Sequence, residues 1–216
     1  MEKENLKRAR FITLEGIEGS GKSTVIKFLA KFFSKNKFSY KIFRDPGSTK
    51  VGEKIRNILL DKKNKISKYT ELLLYLAART QLIEEKLKKA IFKYDFIICD
   101  RFFDSTLVYQ GYALGIKFTK KAVDIFSLGM IPDLTILLDT DPIEGLKRIK
   151  NKDRVESRPI SFHKKLREGY FKLAKKYPKR IRLVKSNNLE EIYKEIEKIL
   201  RKKFNIKPSF ALSKDI

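Results

Sequence analysis

Cysteine occurs once in the 216 residues, as Cys99 inside an apolar run, which excludes an intrachain disulfide framework and any zinc site built from several cysteines. Glycine and proline are also few, 10 and 6, while 42% of the chain is hydrophobic and includes 16 Phe and 9 Tyr. Such a composition fills a core and excludes low complexity or disorder for most of the length. No uninterrupted apolar run reaches membrane-spanning length, and the charged stretch from Met1 to Arg10 lacks the apolar segment of a signal peptide. A soluble, cytoplasmic protein without membrane attachment is the expectation. Acids are scarce, 26 Asp+Glu against 50 Lys+Arg, for a net charge of +24. That field favours polyanions such as nucleic acid, acidic membranes or nucleotide phosphates. The cations are spread through the chain rather than gathered in an arm, so most read as solvated surface and a nucleic-acid partner is not expected. The one histidine, His163, falls on a Lys/Arg-rich helical stretch and reads as a surface residue rather than an acid-base catalyst.

What is present alternates short β-rich runs with amphipathic stretches, the pattern of an α/β fold built on a parallel sheet. Five strands are predicted, at 11–14, 40–43, 96–99, 134–138 and 181–184. The third and fourth are almost continuously apolar, as strands buried on both faces must be. Val25, Phe28, Leu29, Phe32 and Phe33 recur at helical spacing behind the first strand. Further helices are predicted at about 50–60, 68–93, 104–115, 119–128, 142–150, 161–177 and 189–203. The chain length suits a single domain over 1–203. Lys150 to Pro159 is polar and ends at a proline, so it reads as a mobile loop, the centre of a lid at about 148–158. Residues 204–216 read as a loose C-terminal tail.

Directly after the first strand stands Gly16-Ile17-Glu18-Gly19-Ser20-Gly21-Lys22-Ser23, followed by Thr24, which matches G-x-x-x-x-G-K-[ST] at every position. Glycines allow successive backbone N–H groups to turn inward around a phosphate, and a helix starting near Lys22 aims its positive end at the same anion. Lys22 then reaches the β- and γ-phosphates, and the Ser23 hydroxyl ligates Mg²⁺. Phe96 to Cys99 ends in Asp100, which places a carboxylate at the end of a neighbouring strand, where it can hold Mg²⁺ through water. The ordinary alternative for Asp100 is a strand-to-loop cap. A GTPase is disfavoured, because the closest guanine-reading candidate, Asn151-Lys152-Asp153-Arg154, ends in arginine where a carboxylate is needed.

One side chain stands out on the predicted helix at 68–93. With about 100° per residue, Leu72, Leu76, Ile83 and Leu87 define a stripe, and Arg79 falls inside it. A buried guanidinium needs a partner, which is either an internal acid or a ligand. Tyr75, four residues earlier, lies beside it and can add an aromatic face, unless it is ordinary core.

The runs Phe11 to Thr24, Arg44 to Arg56, Leu72 to Gln81 and Asp100 to Gly115 together resemble bacterial-type thymidylate kinases, in order and at family-like spacing, over nearly the whole chain to about residue 200. The resemblance implies a P-loop nucleoside-monophosphate kinase fold, with a central parallel sheet of about five strands flanked by helices and a short lid. It also implies transfer of the ATP γ-phosphate to dTMP, giving dTDP, and a homodimer. By the same resemblance Tyr75 stacks on thymine, where phenylalanine is usual, and Arg79 hydrogen-bonds the base. Arg101 holds the dTMP phosphate within the segment Arg101, Ser105, Thr106, Tyr109 and Gln110. Thr106 and Gln110 read the base edge, and Tyr109 packs where a 2′-hydroxyl would crowd. Asp45-Pro46 stands where glutamate-proline is usual, near the acceptor phosphate and Mg²⁺. Arg56 is a second phosphate grip, with a surface salt bridge as its ordinary reading.

Phosphoryl transfer asks for positive charge on the equatorial oxygens. Ile17, Glu18, Gly19 and Ser20 supply none, so the cation is expected from the lid: Arg154 first, then Arg148. Asp153-Arg154-Val155-Glu156 resembles the family's lid motif. Glu18 is expected at a sugar hydroxyl or an Mg²⁺-bound water, and Val184-Lys185-Ser186-Asn187 stands where relatives turn close to adenine. Two other readings are a deoxynucleoside kinase, disfavoured by two arginines aimed at an acceptor phosphate, and a basic nucleic-acid-binding ATPase, for which no module is recognisable.

Overall fold

A computed structural model describes residues 8–185 and 188–207. Five parallel strands form one sheet: β1 (Arg10–Glu15), β2 (Tyr40–Arg44), β3 (Phe96–Asp100), β4 (Leu134–Leu138) and β5 (Ile181–Val184), in the order β2-β3-β1-β4-β5. Each prediction holds to within a residue at either end. The register sets Asp100 beside Leu14 on one side and Arg44 on the other. Three carboxylates therefore gather where three neighbouring strands end: Glu15 closes β1, Asp100 closes β3, and Asp45 follows the edge strand β2 with its N–H on the Asp100 carbonyl at 3.0 Å. In an open α/β sheet this carboxyl edge is where ligands bind.

Helices cover both faces. α1 (Lys22–Lys35) packs Val25, Leu29 and Phe33 with Ile12 and Leu14, and α9 (Leu189–Phe204) adds Ile196 and Leu200 to the same core. On the opposite face Phe11, Ile97 and Cys99 meet α3 (Lys68–Leu82) through Leu72 and Leu76. Alternation along β1 sends Phe11 to one core and Ile12 to the other. Leu29 is fully buried, so its truncation to alanine is worth about 2–5 kcal/mol. α2 (Lys50–Leu60) and α3 begin at Thr49 and Ser67, whose hydroxyls cap the N–H groups of Gly52 and Thr70.

The predicted helix at 68–93 is three pieces: α3, a π-helical turn at Ile83–Leu87, and α4 (Lys88–Ala90). That predicted at 104–115 is α5 (Phe103–Thr106) followed by a π-helix, Leu107–Ala113. Its wider turn buries Val108, Tyr109 and Gln110 consecutively, which an α-helix with one apolar stripe would not do. α6 (Thr119–Phe126), α7 (Pro142–Lys147) and α8 (Ile160–Lys176) complete the set. Among the described residues, no helix is long and apolar enough to cross a membrane.

Two expectations are corrected. The segment after Phe204 is not loose throughout: Asn205 ends α9 in the left-handed region, Ile206 is buried in the core, and Arg201 holds the Lys207 carbonyl at 2.8 Å. The rest of that tail lies outside the described residues. The segment at 150–159 is a folded turn rather than a free loop, because Asp153 caps the N–H groups of Val155 and Glu156 and the Arg154 N–H reaches the Leu60 carbonyl at 3.0 Å.

Candidate active site

The loop at 16–23 runs from β1 into α1, so its backbone groups lie at the carboxyl edge of the sheet. Gly19 adopts φ +71, and a Cβ there would stand 1.9 Å from the Gly145 carbonyl oxygen. Only glycine satisfies both the turn and this contact with α7. Lys22 curls back over the loop, with Nζ 3.1 Å from the Gly16 carbonyl oxygen, 2.9 Å from that of Ile17 and 3.3 Å from Ser20 Oγ. Burial and the Arg101 charge depress its pKa to about 8 against the pull of Asp100, Glu18 and Glu15. Ser23 and Thr24 are exposed on the first turn of α1.

Beside the loop is a cavity of about 110 Å³ lined by Glu18, Asp45, Pro46, Arg56, Tyr75, Arg79, Arg101, Ser105, Thr106, Tyr109 and Gln110, with Asp153, Val155 and Glu156 from the lid. Every acceptor-side residue expected from the sequence lines it. Unpartnered buried polar atoms mark it further: Asp45 Oδ1 and Arg79 Nη1 have no hydrogen bond. Such atoms are costly unless a ligand or water satisfies them. A larger groove of about 790 Å³ runs between α8, β5 and α9 past Lys175, Arg182, Lys198 and Lys202, but it shares no residue with the loop. It reads as solvated basic surface.

Arg79 meets both alternatives left open for it. Its Nε donates to Asp45 Oδ2 at 2.6 Å and Nη2 donates to Thr106 Oγ1 at 2.7 Å, while Nη1 stays free. Burial pushes the Asp45 carboxyl up despite Arg79. Arg56 lacks the surface salt bridge that was its ordinary reading. Its Nη1 donates to the Pro46 carbonyl at 3.3 Å, and no acid pairs with it among the described residues. Tyr75 is half-buried along the cavity, and burial and Glu71 push its phenol upward.

Arg101 sits at φ +65, a left-handed conformation that costs a side-chain-bearing residue about 1 kcal/mol or more. Its guanidinium donates to Ser105 Oγ and Tyr170 Oη, both at 3.1 Å, and to Glu18 Oε1 at 3.4 Å, over the Tyr109 ring. Beneath it Glu15 accepts from the Phe102 N–H, from Ser105 Oγ at 2.6 Å and from Tyr170 Oη at 2.8 Å. Burial and Asp104 raise the Glu15 carboxyl to about 7. Glu18 goes the other way: burial pushes it up, but His163, Arg101, Lys22 and the Tyr109 hydroxyl outweigh this and hold it at about 2.

His163 is not a surface residue. It is 1% exposed, with Nδ1 3.3 Å from Glu18 Oε2, because Phe162, His163, Leu166 and Tyr170 form the buried face of α8. The lid arginines also differ from expectation. Arg154 is turned away from the loop, its Nε on the Leu59 carbonyl and its Nη2 2.6 Å from Glu71 Oε2, where Arg158 joins it at 2.5 Å. Arg148 stands nearer the phosphate loop, exposed, with Nη1 3.1 Å from the Gly19 carbonyl oxygen.

Asp100 Oδ1 is buried without a partner beside the loop. With the exposed Ser23 hydroxyl it makes a hard-oxygen donor pair of the kind Mg²⁺ takes, so the side chains present fit that ion. Of the adenine-side turn, Ser186 and Asn187 lie outside the described residues.

Sequence reasoning passed over Glu15, Glu71 and Tyr170. Glu15 ends an apolar strand just as Asp100 does, and Glu71 precedes Tyr75 by four residues on the same helix. Both signals were there to be used.

The family model described as thymidylate kinase matches residues 14–196. The chain is 46% identical over 200 residues to a thymidylate kinase of Thermoanaerobacter sp. (strain X514), covering 90% of this chain and 98% of that one. It is 44% identical over 205 residues to a thymidylate kinase of Clostridium novyi, covering 91% and 100%. The crystal structure of thymidylate kinase from Ehrlichia chaffeensis superposes with a TM-score of 0.73 at 30% identity, over 89% of this chain and 99% of that one.

Proposed function

The chain belongs to the thymidylate kinase family, and from that premise we propose how its residues divide the work of moving the ATP γ-phosphate onto dTMP. The enzyme gives dTDP and ADP: a bond forms between an oxygen of the dTMP phosphate and the γ-phosphorus, and the bond to the β,γ-bridging oxygen breaks. The observation that carries the assignment of roles is the cavity in which unpartnered Arg79 and Asp45 atoms share one wall set with Glu18, Arg56 and Arg101.

The loop at 16–23 cradles the ATP phosphates with its backbone N–H groups, and Lys22 exchanges the loop carbonyls for the β- and γ-phosphates. Arg101 and Arg56 grip the acceptor phosphate. An acceptor carrying its own phosphate needs both, which favours a nucleotide over a nucleoside. Arg79, Thr106 and Gln110 read the base edge, Tyr75 stacks on the ring, and Tyr109 packs the sugar. Ser23 and Asp100 hold Mg²⁺, with Asp45 near the same region. When bound, the ion neutralises charge on the β- and γ-oxygens. Glu18, kept ionised, accepts from the sugar hydroxyl or from a water.

For the transferred phosphoryl group, Arg148 already adjoins the loop. Arg154 reaches it by leaving one anion, Glu71, for another. The lid at about 148–158 thus belongs to the same kinase domain as the rest of residues 1–203. A homodimer is supported by apolar side chains left exposed on the adjacent helices α2, α3 and α6, namely Ile58, Leu73 and Phe126. A cytoplasmic location suits the single buried thiol of Cys99. Nucleic acid is assigned no part, and the charge of +24 is left to solvated surface.

The test is ADP release with ATP and Mg²⁺ against dTMP, dUMP, thymidine, AMP, CMP and GMP. Turnover strongest on dTMP and abolished by EDTA supports acceptor and metal together. Turnover on thymidine but not dTMP would move the assignment to a nucleoside kinase.

A further inference from the structure

Glu71 is 1% exposed, lies on α3 and is not among the side chains lining the cavity. Its Oε2 takes the guanidiniums of Arg154 and Arg158, and its Oε1 takes Gln110 Nε2 at 2.9 Å. A carboxylate held this way by two cations only accepts, so the third partner has to present a donor. Gln110 is therefore fixed with its NH₂ group toward Glu71. The amide oxygen is what remains for the cavity, where Arg79 Nη1 is an unused donor.

We propose that Glu71 determines which pyrimidine the site accepts, by locking the Gln110 amide so that its oxygen faces the base. The inference rests on the reading above, in which Gln110 and Arg79 meet the base edge. A base with a ring N–H beside a carbonyl, as in thymine or uracil, offers a donor to the Gln110 oxygen and an acceptor to Arg79. Cytosine offers the reverse pair, a bare ring nitrogen and an amino group. It would leave both protein groups facing like partners in a site closed to water, the situation in which polar discrimination is strongest. Without Glu71 the amide rotates at little cost and can meet the ring nitrogen of either base, which removes one of the two mismatches with cytosine while Arg79 keeps the other. Glu71 touches no substrate atom in this scheme and acts through Gln110 as a positioning residue.

The experiment compares kcat/KM for dTMP and for dCMP, at saturating ATP, in the wild type and in Glu71→Gln, alone and in a Gln110→Met background. Glutamine at 71 can donate as well as accept, which frees the orientation. The dTMP-to-dCMP ratio is expected to fall about tenfold or more in Glu71→Gln, one hydrogen bond's worth. In the Gln110→Met background the second change should have no further effect on it. Removing Arg154 and Arg158 together should lower both activities in proportion and keep the ratio, separating the lid from the base. If Glu71→Gln lowers dTMP and dCMP turnover equally, the inference is wrong and Glu71 only anchors the lid. A wild type without preference for dTMP over dCMP would overturn the base-edge reading itself, a distinguishable result. Should Glu71→Gln not fold, Glu71→Asp keeps the negative charge but draws the carboxylate back by one methylene from Gln110 and the arginines alike, and the ratio, which the lid does not move, is read in the same way.

Discussion

Arg79 Nε lies 2.6 Å from Asp45 Oδ2 with both side chains sealed from solvent, yet Arg79 Nη1 and Asp45 Oδ1 have no partner. The pair is complete enough to hold β2 to α3 and incomplete enough to receive a ligand. Arg79→Ala strands a buried carboxylate, a change that costs about 3–5 kcal/mol where the partner charge remains. Urea denaturation should show that loss, and dTMP should stabilise the variant far less than it stabilises the wild type.

Glu15 gives stability a pH dependence of unusual sign for a carboxylate. Its pKa rises from an ordinary 4.5 to about 7 in the folded protein, through burial and Asp104. Between those values the folded state holds a proton that the unfolded state has lost. The contribution is therefore full below about 4.5 and disappears as pH rises through about 7. Thermal unfolding across this range should show Tm falling with pH in the wild type, and a flatter profile in Glu15→Gln.

Lys22, depressed to about 8, loses its charge early in the free enzyme. ATP phosphates need the ammonium form, so kcat/KM for ATP is expected to fall with a slope near tenfold per pH unit above that value. Lys22→Ala should lose turnover by about a hundredfold or more and abolish the inflection. A profile that stays flat to pH 10 would separate Lys22 from phosphate binding.

Gly145 lies outside the phosphate-binding motif, but a Cβ there would stand 2.4 Å from the Glu18 carbonyl oxygen. Backbone on both sides leaves nothing flexible to yield. Gly145→Ala is expected to push α7 off the loop and raise KM for ATP more than KM for dTMP.

Arg154 tethers the lid to α3 through Glu71 and the Leu59 carbonyl. Arg154→Ala should lower kcat by about a hundredfold with little change in KM for dTMP, the signature of a cation acting in the transition state. Wild-type kcat in that variant would leave Arg148 as the cation over the phosphates.

The strands were legible because each is a short β-rich run bounded by polar turns, broken by a charge only at Lys41 in β2 and Arg182 in β5 within the runs the sequence marks. The phosphate loop was legible because its chemistry is contiguous: a turn needs glycines at fixed offsets, and a lysine must follow at once. Arg79 could be flagged as a charge on a buried stripe, but not assigned, since its acid, Asp45, lies 34 positions away in sequence. His163 was misjudged for the same reason. The chain runs on from it into Lys164 and Lys165, whereas in space its ring faces Glu18, distant in sequence.

The sequence by itself determined the α/β order, the strand positions and the anion-binding turn, because these follow from periodicity and from backbone freedom within a few residues. Only the tertiary structure decided that Glu15 lies under Arg101, that Glu71 joins Arg154, Arg158 and Gln110, and that the segment at 150–159 is folded onto α2. Ion pairs and hydrogen bonds between distant elements depend on the parallel crossovers that bring the strand ends together, and on which buried donors the packing leaves without water.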